Sequence, residues 1–135
     1  MDLTIYKTRI VNGKTKATPE VDFTLNVNKI VLHTMSTIEL FNIIDVEDLN
    51  MVLSFISKFT DKENDNKKEV VNMLVPIYTI LKNHKDDILN FIYEVLIDNN
   101  YNITLDQLKT VSPSELVCLL LAIFRILGTE FGYTL

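Results

Sequence analysis

The chain has 135 residues, of which 47% are apolar and 23% charged, a balance that excludes intrinsic disorder and fits one folded domain, 1–135, with a buried core. Its net charge of -5 disfavours nonspecific nucleic-acid binding, which depends on neutralising phosphates, although a local basic patch is compatible with that total. A single cysteine rules out an intrachain disulfide.

Residues 1–7 carry neither the basic start nor the apolar core of a secretory signal. The apolar run 116–124 falls short of the roughly 20 residues that span a bilayer. These features predict a soluble, cytoplasmic chain with no membrane partner, in which the Asn102-Ile103-Thr104 sequon has no role.

The first region, 1–27, reads as a β-hairpin. Residues 3–11 are rich in Thr, Ile, Tyr and Val, Asn12-Gly13 is a strong turn pair, and Val21, Phe23, Leu25 and Val27 alternate with polar residues. Pro19 is expected to shorten or displace the start of the second strand, and the change of parity between Leu3/Ile5 and Tyr6/Thr8/Ile10 leaves a bulge open. Two strands alone are marginal in water, so they must pack on the helices, recruit a third strand or pair with another molecule.

From about residue 28 to 135 the period becomes helical. Ile30, Val31, Thr34 and Met35 fit either a short helix or an extended stretch, and Ser36-Thr37-Ile38-Glu39 has the pattern of a capping box. Asp45-Val46-Glu47-Asp48 predicts a fresh N-cap, followed by the apolar stripe Val46, Leu49, Val52/Leu53, Ile56 and Phe59. The polar stretch 60–68 predicts a solvent-facing loop, and its spacing lacks the glycine and terminal glutamate of a calcium loop.

Val70, Val71, Met73/Leu74, Ile77, Tyr78 and Leu81 repeat at helical spacing, with Pro76 predicting a kink or a break near Val75. A further helix is expected from His84 to Asp86 onward, carrying Ile88, Leu89, Ile92, Val95 and Leu96 and stopped by Asp98-Asn99-Asn100. Thr104 with Gln107 reads as a reciprocal cap on a short helix. The last helix opens with Ser112 as cap, Pro113 at the first position and Glu115 completing the box, and Gly128 marks its expected end.

That last helix has almost no polar face, since only Arg125 interrupts the apolar surface after Glu115. Such a helix is either central to its domain or partly covered by another chain. Cys118, inside it, reads as a small buried hydrophobe and not as a reactive thiol. The whole pattern predicts an α+β, predominantly helical fold: a short N-terminal β-hairpin followed by a compact bundle of four to six helices.

Catalytic signatures are missing. His33 and His84 stand far apart, and the chain has no HExxH pair, no Cys/His cluster, no glycine-rich phosphate loop and no nucleophile elbow. No catalytic residue, metal ligand or cofactor site is therefore assigned; a noncanonical enzyme would have to draw on His33, Asp45 or Glu47. Tyr93, Tyr101, Phe124, Phe131 and Tyr133 are candidate aromatic anchors or core fillers. Leu116, Leu120, Ile123, Phe124 and Leu127 cluster on one broad helical face and, with Phe131 and Tyr133, are the leading candidates for a protein interface.

The short chain, the β-rich start, the helical remainder and the late sequence Ile103-Thr104-Leu105-Asp106-Gln107-Leu108-Lys109-Thr110-Val111-Ser112-Pro113-Ser114-Glu115-Leu116-Val117-Cys118-Leu119-Leu120 together resemble the tail assembly chaperones of long-tailed bacteriophages and phage-like elements. The motif-like part spans about 103–124. This resemblance implies a non-enzymatic protein that self-associates and shields the tape measure protein, or another helical client, during tail assembly; the acidic net charge adds the expectation of no nucleic-acid partner. The N-terminal hairpin departs from wholly helical members. The competing expectation is a small helical inhibitor or immunity protein that binds one macromolecular target through an acidic face.

Overall fold

The computed structural model describes residues 2–60, 75 and 78–130, apart from the side chains of 55–60, 113, 114 and 130. Strands β1 (Asp2–Val11) and β2 (Lys14–Asn26) form an antiparallel two-stranded sheet. Asn12 at φ 52 and Gly13 at φ 76 close it, both in the left-handed region that a two-residue hairpin turn with the sheet's own twist requires. The helical region is thus preceded by a hairpin as the sequence predicts.

The two strands are unequal, and the register shows where the difference goes. Leu3 pairs with Leu25 and Ile5 with Phe23, but Tyr6 pairs with Val21, so Asp22 is an extra residue on β2. Thr8 then pairs with Ala17, which leaves residues 18–20 opposite Lys7 alone. The bulge suggested by the parity of β1 is therefore built on β2. Pro19 does not shorten that strand; it lies within this irregular stretch, where its missing N–H costs no ladder bond.

A 3-10 turn, Val27–Lys29, leads into an extended segment and then α1 (Thr34–Ile43). This helix starts two residues before the capping box expected at Ser36. His33 occupies the cap position without a side-chain bond, and Ser36 is buried inside the helix, where it donates to Asp98. Helix α2 (Val46–Thr60) opens as predicted, with the Asp48 N–H donating to the Asp45 carboxylate at 3.0 Å and Glu47 and Asp48 at the positive end of the dipole. Leu49, Val52 and Leu53 face the core, whereas Val46 is exposed. The expected loop at 60–68 lies outside the described residues apart from Thr60, which is helical, and the effect of Pro76 also lies outside them.

Residues 78–83 are helical and run through a turn at His84 into α3 (Lys85–Asp98). Asn100 at φ 68 ends α3, and the Asn99 side chain fastens the extended segment beside it, accepting from the Val31 N–H and donating to the Val31 carbonyl, both at 2.9 Å. Helix α4 (Leu105–Lys109) carries both halves of its predicted capping box: Thr104 Oγ1 accepts from the Gln107 N–H, and Gln107 Oε1 accepts from the Thr104 N–H, each at 3.0 Å.

Helix α5 (Pro113–Glu130) begins at the predicted Ser112 cap but runs through Gly128 to Glu130, so the glycine is a buried helical residue and not the stop. Helix α5 packs against α2 and the 3-10 turn, α3 against α1 and α4, and α4 against both strands. The core unites Leu3, Ile5 and Leu25 of the hairpin with Leu40, Val52, Ile92, Leu108 and Phe124 of the helices. The hairpin thus meets its need for packing on the helices, and no third strand is present among the described residues. Among the described residues, no helix is long and apolar enough to cross a membrane.

Candidate functional site

Helix α5 decides what surface the molecule offers. Leu119, Leu120, Ile123, Phe124 and Leu127 are at most 3% exposed and fill the core, each contributing about 1.5–3 kcal/mol by leaving water. Four of the interface candidates, Leu120, Ile123, Phe124 and Leu127, thus cluster on one face as their spacing requires, and that face is the inner one. Phe131 and Tyr133 lie outside the described residues. Leu116, the remaining candidate, is half-buried at the edge.

The opposite side of α5 carries a narrow wet stripe of exposed Glu115, Cys118, Arg125 and Thr129. Cys118 is therefore exposed and not the buried hydrophobe expected from its apolar neighbours. Successive separations of three, seven and four residues keep these side chains in register on a 3.6-residue helix, which explains why one small apolar residue faces water among so many that do not.

Leu116 and Leu120 open onto an apolar groove of about 230 Å³ between residues 78–83, α3 and α5. Ile88, Ile92 and Leu120 form its buried floor, while Leu81, Leu116 and Val117 are its half-buried walls. Tyr78, 67% exposed, and the exposed Lys82 and Lys85 stand at the rim. Ile88 with Ile92 and Leu116 with Leu120 are pairs four residues apart, so each of the two helices presents an apolar ridge to the groove. The lysine stems extend that apolar lining and leave their ammonium groups free for carboxylates on an occupant. A pair of ridges of this kind can bury a few side chains of another helix; it offers no acid and base held against a common reacting atom.

The remaining candidates are dispersed. Tyr101 stacks on Phe23 with ring centroids 5.7 Å apart and an angle of 17° between planes, so it fastens the hairpin to the helices. Tyr93 is half-buried against the core. His33 and Asp45 stand at the starts of α1 and α2, and Glu47 is in the first turn of α2. On the outer side of the α1–α3 contact, a hydrogen bond with Glu39, some burial and the nearby charges of Glu39 and Asp98 hold the Glu94 carboxyl above its ordinary pKa. The groove itself was only half visible in the sequence: Leu116 and Leu120 announced it, but Tyr78, Lys82 and Lys85 belong to it through helix packing that periodicity does not disclose.

Compared with known proteins, the chain matches no family model, no curated protein and no solved structure.

Proposed function

We propose that the chain is an assembly chaperone of the phage tail type, which self-associates in the host cytoplasm and covers apolar helical surfaces of a tape measure protein until tail-tube subunits replace it. The observation that carries this reading is the open groove bounded by Leu81, Ile88, Ile92, Leu116 and Leu120. At about 230 Å³ it is smaller than the roughly 300–1,000 Å³ of ordinary small-molecule pockets, and its ridges match the spacing of apolar side chains on a helix. Exposed Met35, Ile38 and Val31 supply further apolar surface on a different part of the molecule, in keeping with a protein that makes more than one contact.

The test is absolute mass by light scattering over a concentration series, alone and after co-production with a tape measure chain. Rings or higher oligomers, and several copies retained on one elongated client, are expected. A strict monomer that takes up its client only one to one would replace this reading with that of a single-target inhibitor.

A further inference from the structure

The end of the hairpin farthest from the core is a separate surface with its own chemistry. Between residues 7 and 18 the sequence has Lys7, Arg9, Lys14 and Lys16 and no carboxylate. Lys7 is satisfied by Glu20, 2.9 Å away across the sheet. Arg9, Lys14 and Lys16 make no ion pair with any described residue. Their arrangement is also unfavourable in itself, because Arg9 and Lys16 are directly opposed across the two strands, and like charges in that position weaken a ladder.

Where this end meets α4, a cleft of about 420 Å³ opens between Lys14, Lys16 and Ala17 on one side and Asp106, Lys109 and Thr110 on the other. Three ammonium groups therefore border one cavity against a single carboxylate, on a chain whose total charge is -5. A local reversal of sign that the fold leaves unpaired is electrostatically complementary to an anion.

We infer that this cleft docks a carboxylate-bearing segment of a partner polypeptide. Nucleic acid fits it less well. A phosphate backbone runs on past the cleft and would meet the excess negative charge of the rest of the molecule as well as Asp106, whereas a short acidic segment of polypeptide ends within reach of the three amines. The inference rests on the hairpin and α4 and is independent of the groove and of the chaperone reading.

The experiment is fluorescence anisotropy with labelled hexaglutamate at low ionic strength, on the full chain and on the variants Lys16→Glu, Lys109→Glu and Lys29→Glu. Lys29, exposed beside the 3-10 turn, controls for the change in net charge. Lys16→Glu and Lys109→Glu each weaken binding about tenfold or more, and Lys29→Glu changes it by less than about twofold. Lys16→Glu also places an opposite charge against Arg9, so its melting temperature stays level or rises while binding falls, which separates the site from a folding defect. Failure of hexaglutamate to bind, or equal losses in all three variants, overturns the inference. Tighter binding of an oligothymidylate with the same lysine dependence overturns the choice of a polypeptide partner.

Discussion

The Gln107 side-chain amide donates to the Asp22 carboxylate at 2.6 Å, joining two residues 85 positions apart. Asp22 is the extra residue at the first irregularity of β2, and the same amide nitrogen lies 3.3 Å from the Tyr6 carbonyl on β1. The amide oxygen of Gln107 meanwhile closes the cap of α4. One buried side chain thus holds the hairpin's bulge against the helix that supports it. Replacing Gln107 by Leu strips the Thr104 N–H of its acceptor and leaves Asp22 and Tyr6 without their donor, so urea denaturation is expected to show a loss of about 2–4 kcal/mol. In a double-mutant cycle with Asp22→Ala the two losses fall short of additivity by about 0.5–3 kcal/mol; additive losses would mean that the contact carries no coupling.

Leu120 and Leu116 are neighbours on α5 with different expected responses to charge. Leu120 is 3% exposed, so Leu120→Asp places an unpaired carboxylate in the core and is expected to abolish cooperative unfolding. Leu116→Asp, at the half-buried wall of the groove, is expected to cost about 1–2 kcal/mol and to leave a folded chain, which under the proposed chaperone role loses its helical client. Circular dichroism with client pull-down checks both; a folded Leu116→Asp protein with undiminished client binding removes the groove from the mechanism.

Glu94 makes stability depend on pH in a defined direction. Its folded-state pKa is raised, so the native chain holds this proton more tightly than the unfolded chain does. The contribution of the group is most favourable on the acid side and declines as pH rises from the ordinary value near 4.5 through the raised one. Glu94→Gln removes the repulsion from Glu39 and Asp98. Its melting temperature should exceed that of the parent above this window, and the difference should shrink as both proteins are acidified. A difference that is constant with pH would assign the effect to packing.

Gly13 has φ +76 and nothing within 4 Å of where a Cβ would sit. Gly13→Ala therefore meets no clash, and the expected destabilisation of about 1–2 kcal/mol is the backbone cost of a left-handed alanine alone. Thermal denaturation measures it; no change would mean that the turn relaxes without cost to the sheet.

Cys118 faces water beside Glu115 and Arg125 along the wet stripe of α5. A colorimetric thiol reagent is expected to titrate it fully in the native protein, at a rate little changed by denaturant. A thiol that reacts only after unfolding would return Cys118 to the interior.

Local chemistry was the legible part of the sequence. Asn12-Gly13, the Asp45 and Thr104 caps and the stop at Asn99-Asn100 were all readable because each acts within about four residues of itself. Ser36 defeated the same reasoning: its partner is Asp98, and a tertiary hydrogen bond took a residue that resembled a cap into the body of α1. Gly128 did not mark the stop it resembled, because α5 continues through it as a buried helical position to Glu130. For α5, composition hid a stripe that periodicity contained, because Cys118 and Ala122 count as apolar although they occupy the line from Glu115 to Thr129. The groove and the cationic cleft join segments far apart in the chain, and no local pattern specifies which helices will lie beside them.

Between the Leu3–Leu25 pair and the Val11–Lys14 pair, β2 runs three residues longer than β1, and three is an odd number. Side chains alternate between the faces of a ribbon, so the excess reverses the phase of β2 along its length. Near the base its odd-numbered Phe23 and Leu25 share a face with Ile5 and Leu3; near the tip its even-numbered Lys14 and Lys16 share that face with Val11 and Arg9. A single surface of the ribbon is in this way greasy at one end and cationic at the other. The Asn12-Gly13 turn holds Lys14 opposite Val11 and Lys16 opposite Arg9, so deleting one residue from 18–22 would leave the lysines on this face and change only how the stretch in between is accommodated; the position of the charge is written in the turn, and the irregular stretch absorbs the difference in length.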